Sequence, residues 1–256
     1  MSILDLFSMK GDAALITGGG GGLGSAIARA FADCGADVAV VGRTATPLHR
    51  VRDEVHSRGR RCVVIIEDVT SPGAPERIVE QCLAALGKVT VLVNNVGGIA
   101  GDERPLPAMQ LSEHSWDAQI DLNLNSVWRL IKAVVPCMAE GGTILNMSSI
   151  KALKPADGSG AYSAAKAALN NLTLALSLDL APRIRVNAIA PGPVPTEAFM
   201  SKRNVTRADF ARIAKEWGVP LGRLGEPEDI ATVALLLASR GGSWITGQTI
   251  VVAGGM

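Results

Sequence analysis

Short runs rich in Val, Ile and Leu alternate along this 256-residue chain with longer amphipathic stretches, and few architectures accommodate that alternation. The runs cover residues 13–17, 38–41, 63–66, 89–94, 143–147, 185–190 and 249–252. They are continuously apolar rather than alternating, which fits strands buried on both faces. The stretches 23–34, 46–57, 75–86, 113–139, 161–180 and 227–239 read as helices. Repeated strand–helix–strand units imply an α/β fold: a doubly wound, seven-stranded parallel sheet flanked by helices. No Pro/Ser-rich linker divides the chain, so residues 1–256 read as a single domain. Two irregular segments, 97–107 and 191–217, follow strands, at the sheet end where ligands bind in such folds.

Composition excludes several classes. A chain that is 48% hydrophobic and 19% charged has the apolar surface that disordered chains lack. A net charge of +1 offers no field for gripping nucleic acid. The four cysteines, Cys34, Cys62, Cys82 and Cys137, show no metal-ligand spacing and read as reduced thiols of a cytoplasmic protein, with no metal. The first ten residues lack a basic n-region, and the apolar run at 233–238 is too short to span a bilayer, so neither secretion nor membrane insertion is expected. The chain contains one tyrosine, Tyr162.

After the first strand come Thr17, five consecutive glycines (Gly18–Gly22), Leu23 and Gly24, then an apolar helix face. A strand–glycine turn–helix unit lets backbone approach a pyrophosphate, which then meets the free N–H groups and dipole of the helix N-terminus. Two registers fit, GxGxxG from Gly19 and TGxxxGxG from Thr17. The second strand ends Val41-Gly42-Arg43, without the carboxylate that would hold a ribose 2′-hydroxyl. Arg43 could pair with a 2′-phosphate instead, favouring NADP over NAD. Arg50, Arg52, Arg58, Arg60 and Arg61 read as an exposed face.

Tyr162 and Lys166 form YxxxK at the start of a helix, where residues i and i+4 share a face. An ammonium beside a phenol favours phenolate, so the phenol is expected to titrate well below ~10 in the cofactor complex. A phenol so tuned can give or take a proton near neutrality. Ser149 lies thirteen residues earlier, at a strand end, with Ser148 as a competing hydroxyl.

These residues together resemble the short-chain dehydrogenase/reductase family, in its single-domain Rossmann-like branch and near its 3-oxoacyl-(acyl-carrier-protein) reductase-like members. The resemblance covers nearly the whole chain. It sets the glycine register to Thr17, Gly18, Gly22 and Gly24, and places the family's adenine contact at Asp68 with Val69. It maps the NNAG segment onto Asn94, Asn95, Val96 and Gly97, with valine in place of alanine. Asn123, rather than neighbouring Asn125, falls on the catalytic asparagine and completes a set with Ser149, Tyr162 and Lys166. Pro191 and Gly192 match the PG motif, with Val194 and Thr196 where the family contacts the nicotinamide carboxamide. The usual DGG reads Ala253-Gly254-Gly255, so an acidic residue is missing. The resemblance implies a ketone–alcohol oxidoreductase. Tyr162 would be the general acid/base, Ser149 would orient the substrate oxygen, Lys166 would bind ribose hydroxyls and Asn123 would carry a proton relay. A homotetramer is implied as well, packed through 113–139 and 161–180.

The substrate pocket is expected from Gly98 and Ile99, residues 150–153, Asp157, Ser159, and Phe199 and Met200 of a lid at about 193–217. Lys151, Lys154, Lys202, Arg203 and Arg207 read either as ordinary solvated charges or as an electropositive mouth suited to an anionic or acyl-carrier-linked substrate, and Arg129 matches a position where the family's carrier reductases dock their carrier. A silent NADP-binding regulator and a dehydrogenase of a small alcohol or sugar are the alternatives. No room for an extended-branch substrate domain follows Gly192.

Overall fold

The computed structural model describes residues 2–100, 106–156, 158–197, 199–200 and 204–256. Strands β1 (Ala13–Thr17), β2 (Asp37–Gly42), β3 (Cys62–Ile66), β4 (Val89–Asn94), β5 (Met138–Met147), β6 (Ile184–Pro191) and β7 (Thr249–Val252) form one sheet in the order β3-β2-β1-β4-β5-β6-β7. Every pairing is parallel. The chain moves outward in one direction from β1 to β3 and in the other from β4 to β7. The carboxyl ends of β1 and β4 therefore part at a topological switch point, where such sheets open a crevice.

Strand alternation explains why the runs are apolar throughout. Ala14 and Ile16 of β1 enter one core with Ile27, Phe31, Leu48 and Ile230, while Leu15 enters the other with Ile78, Leu92 and Leu130. Helices α1 (Gly22–Asp33), α2 (Ala45–His56) and α8 (Pro227–Ala238) cover the first face. Helices α3 (Ala74–Leu86), α5 (Ser126–Val134) and α6 (Gly160–Leu180) cover the second.

The structure departs from the sequence reading in two places. The helix expected over 113–139 is α4 (Glu113–Ile120), a widened π turn (Asp121–Asn125) and α5. Pro136 ends it, since a proline has no N–H to donate and crowds the carbonyl four residues back; a 3-10 turn (Val135–Cys137) leads straight into β5, which begins before residue 143. The segment read as irregular after Pro191 contains a turn (Arg207–Asp209) and α7 (Phe210–Glu216). Ile213 and Ala214 of this segment form a small separate core with Val219 and Leu224 just beyond it, and Phe199 meets Trp217 edge to face at 5.9 Å.

Candidate active site

The glycine turn after β1 is fixed by close approaches. Gly18 and Gly22 have φ of 64° and 53°, a region most side chains avoid. A Cβ on Gly24 would fall on the Gly18 carbonyl oxygen, so α1 starts with its backbone pressed against the turn. Asn95 at the end of β4 donates from Nδ2 to the carbonyls of Thr17 (3.0 Å) and Gly18 (3.2 Å). Thr17 Oγ1 in turn accepts the N–H groups of Asn95 and Val96 at 2.9 and 3.1 Å. The amide ends of α1 are thus held open beside a cradle that side chains would fill, which suits a pyrophosphate. Leu23 borders the adjoining cavity. Thr196 covers the turn, with its Cγ2 2.8 Å from where a Gly22 Cβ would stand.

That cavity, of about 190 Å³, is lined by Leu23, Asn95, Gly97, Ser149, Tyr162, Lys166, Pro191, Gly192 and Val194, among others. The start of α1, the carboxyl ends of β4, β5 and β6 and the first turns of α6 therefore converge on one space. Ser149 and Tyr162 both line this cavity, and the Ser149 hydroxyl acts to lower the phenol's pKa. Ser148 instead turns its Oγ toward the Lys166 carbonyl at 3.5 Å, which separates the two serines. Lys166 is 2% exposed; its Nζ donates to the Met147 carbonyl at 2.7 Å and lies 5.9 Å from the Tyr162 ring centre. Asn123 is fully buried and clasps Gly98, accepting its N–H and donating to its carbonyl, both at 2.9 Å. Asn125 is engaged elsewhere, with Asp121 at 3.4 Å. A Cβ on Gly97 would come within 2.8 Å of Lys166 Nζ and 3.0 Å of Asn123 Oδ1, so glycine there lets the lysine and the asparagine close on one strip of backbone. The π turn presents Asn123; such insertions re-aim a helix side chain.

Burial governs the titration of both groups. It lowers the Lys166 ammonium to about 8. It raises the Tyr162 phenol above its ordinary value, with the Ser149 hydroxyl opposing only in part. The low phenol pKa expected of the cofactor complex therefore starts, in the protein alone, from the opposite side.

At the ends of β2 and β3, Arg43 is 78% exposed and lies 3.7 Å from Asp68. Burial works against the Asp68 charge, but the N–H and hydroxyl of Thr70 and the Arg43 guanidinium hold its carboxyl below the usual range. Val69 is buried in the second core. Arg52 and Arg58 pair with Asp53 and Asp33 at the surface, but Arg60 and Arg61 both close on the buried carboxylate of Asp37, so these two are not the plain exposed face expected of them. Arg129, the residue matched to carrier docking, is half-exposed and paired with Asp121 at 2.7 Å. Lys151 follows Ser149, which accepts its N–H at 3.2 Å. Asp157, Lys202 and Arg203 lie outside the described residues. Gly192 rests on Ala253, where a Cβ would be 2.7 Å from the Ala253 Cα.

Sequence reasoning missed the buried polar chain behind the site. Asn94 donates to Asn146 (2.9 Å), Asn146 to Thr173 (3.0 Å) and Thr173 to the Leu169 carbonyl (2.8 Å), tying β4 and β5 to α6. The signal was present as asparagines inside apolar strands, where a buried amide must find partners. Gln119 is a second omission; it accepts from Asn123 at 3.3 Å and donates to the Ala100 carbonyl at 2.6 Å. Among the described residues no His/Cys/Asp/Glu group could hold a metal, and no helix is long and apolar enough to cross a membrane.

Residues 19–256 match the family model described as enoyl-(acyl carrier protein) reductase. An uncharacterised oxidoreductase of Mycobacterium tuberculosis is 42% identical over 99% of this chain and 95% of its own length. A 3-oxoacyl-(acyl-carrier-protein) reductase of Chlamydia muridarum is 38% identical, over 95% and 96%. The solved structure of a 7α-hydroxysteroid dehydrogenase, complexed with NADH and 7-oxo glycochenodeoxycholic acid, superposes with a TM-score of 0.90 at 34% identity. It covers 100% of this chain and 98% of that one.

Proposed function

The chain belongs to the short-chain dehydrogenase/reductase family, and from that premise we propose that it reduces a ketone to a secondary alcohol, or runs the reverse, at the Ser149–Tyr162–Lys166 cavity. The observation that carries this reading is the meeting of these three side chains on a cavity that adjoins the glycine cradle, with Asn123 buried behind it and holding the Gly98 backbone. The cradle fits a dinucleotide: Gly18, Gly22, Leu23 and Gly24 would take its pyrophosphate, Asp68 and Val69 its adenine, and Asn95 and Gly97 the sugar side. Pro191, Gly192, Val194 and Thr196 would hold the nicotinamide end. A nicotinamide bound there supplies or accepts the hydride.

The protein's own part is proton transfer and orientation. The Tyr162 O–H gives its proton to the nascent alkoxide, or takes one from the alcohol. Ser149 donates to the same oxygen, so two hydroxyls fix the carbonyl and stabilise the charge that develops on it. Lys166, close to neutral pH in its own titration, would bind ribose hydroxyls and return protons toward Tyr162. Asn123 holds Gly98 and with it the strip facing Lys166.

NADP is proposed over NAD, supported by Arg43 directly after β2 and by the absence of a carboxylate there. The substrate is proposed to be a 3-oxoacyl compound or a similar ketone, bound under a lid at 193–217 near the cations Lys151 and Lys154. Exposed Trp116, Trp128, Leu174 and Leu178 on α4, α5 and α6 support a homotetramer, which light scattering tests. The functional test is a panel of ketones and alcohols with NADPH, NADH and their oxidised forms. NADPH-dependent reduction of 3-oxoacyl thioesters is expected; turnover with no carbonyl compound would overturn the reading.

A further inference from the structure

The strip from Gly192 to Val194 has space on both sides. Gly192 and Val194 line the Tyr162 cavity, and they also line a second cavity of about 160 Å³ together with Pro193, Arg223, Gly225 and Asp229. The strip is therefore a thin wall, and its position on the Tyr162 side depends on what holds it from behind. Gly192 is anchored through its N–H, which donates to the Val252 carbonyl at 2.9 Å. The Pro193 carbonyl accepts the Gly225 N–H at 3.0 Å. Gly225 also presses on Val194: a Cβ there would stand 2.9 Å from Val194 Cγ2, so glycine permits the approach.

Gly225 in turn is held by a clip of side chains. Arg223 donates from Nη1 and Nη2 to the two carboxylate oxygens of Asp229, at 2.7 and 2.9 Å, and from Nη1 to the Leu224 carbonyl at 3.1 Å. Asp229, in the first turn of α8, also accepts the Glu226 N–H at 2.8 Å. Leu224, Gly225 and Glu226 thus sit inside one closed ring of contacts. The Arg223 side chain is 54% exposed, and ion pairs at that exposure add little to overall stability. What a bidentate guanidinium–carboxylate pair supplies is geometry, because its two parallel bonds set the angle as well as the distance. We infer that Arg223, through Asp229 and Gly225, is a positioning residue for the Pro193–Val194 wall, against which the nicotinamide end of the cofactor would rest. This rests on the proposed cofactor reading and adds to it a residue that acts from behind the wall.

Calorimetric titration compares wild type with Arg223→Met and Arg223→Lys, each checked by thermal melting; the second variant keeps the comparison should the first fail to fold. The ligands are NADP+ and 2′-phospho-ADP-ribose, which lacks the nicotinamide, with NAD+ and ADP-ribose as a second pair. Amide exchange at Gly225 is followed in the cofactor-free proteins. In Arg223→Met the Gly225 amide should exchange faster, and affinity for the dinucleotide should fall roughly fivefold, about the worth of one hydrogen bond. Affinity for the nicotinamide-free ligand should stay within about twofold, since its pyrophosphate uses the glycine cradle and the end of α1. Arg223→Lys keeps the charge but cannot form the fork, so its loss should be intermediate. Equal weakening of both members of a pair would reduce Arg223 to a general structural role and overturn the proposal. Unaltered dinucleotide affinity, or unaltered Gly225 exchange, would overturn it too, and both results leave the cofactor reading standing. A wild-type protein that binds no dinucleotide would bring down both.

Discussion

Lys166 is a lysine held at 2% exposure whose ammonium donates to the Met147 carbonyl, and that burial has a thermodynamic consequence. Its ammonium falls from 10.5 to about 8 in the folded protein. At ~1.4 kcal/mol per pH unit, this difference amounts to about 3 kcal/mol of folding free energy sacrificed at neutral pH. The direction follows from proton counting. Between about pH 8 and 10.5 the unfolded chain holds a proton that the native amine has released, so stability rises with pH across that window. Below pH 8 both states are protonated and the cost is fully present. Lys166→Met keeps the length of the side chain and removes the charge. Losing the bond to Met147 costs about 1–2 kcal/mol. The variant is therefore expected to be more stable than wild type at pH 7 by about 1–2 kcal/mol, which for a chain of this size raises Tm by roughly 2–8 °C. Urea unfolding of both proteins at several values from pH 7 to pH 10 gives the more decisive quantity. Over that range wild type should gain about 2–3 kcal/mol relative to the variant, whatever packing change the methionine brings. A gap that stays constant to within ~0.5 kcal/mol would refute burial as the cause of the lysine's behaviour, and with it the reading of Lys166 as a functional residue held at the expense of stability.

Other outcomes follow from the same geometry. Tyr162 is the chain's only phenol, so near-ultraviolet tyrosinate absorbance has one source; in the protein alone it should titrate above ~10, and addition of NADP+ should bring it down. Arg43→Ala should raise the KM for NADPH by about tenfold and leave that for NADH within twofold, since only the 2′-phosphate uses the guanidinium; equal effects on both would remove Arg43 from cofactor selection. Gly24→Ala sets a Cβ against the Gly18 carbonyl, so thermal melting should show a loss of about 1–3 kcal/mol and NADPH titration a weakened complex. An unchanged melt would mean that the turn yields without strain.

Much of this was legible in the chain because it is local. The β1 and β4 runs are apolar on both faces since each strand feeds two cores, and the glycine turn lies next to the helix it serves. The spacing of Tyr162 and Lys166 is a property of one helix, so their shared face could be read directly. Asn123 could be named, but the π turn that aims it could not, because no residue in 121–125 forces the wider turn on its own. The early end of the helix is legible in Pro136 itself, which removes a donor from the helix ladder. The polar chain from Asn94 to Thr173 depends on three elements meeting, which no window of sequence contains. The elevated phenol pKa was missed for a related reason. Spacing reveals that a cation stands nearby, whereas burial, which dominates here, belongs to the assembled fold.

The proposed chemistry turns on whether the proton passes through Tyr162, and Tyr162→Phe tests this most directly. The ring is retained, so NADPH affinity and the thermal melt should stay near wild type while single-turnover reduction of the preferred ketone falls by at least ~10²-fold, the lower range for loss of a positioned proton donor. A variant that reduces the ketone within a few-fold of the wild-type rate would contradict the assignment of Tyr162 as the acid.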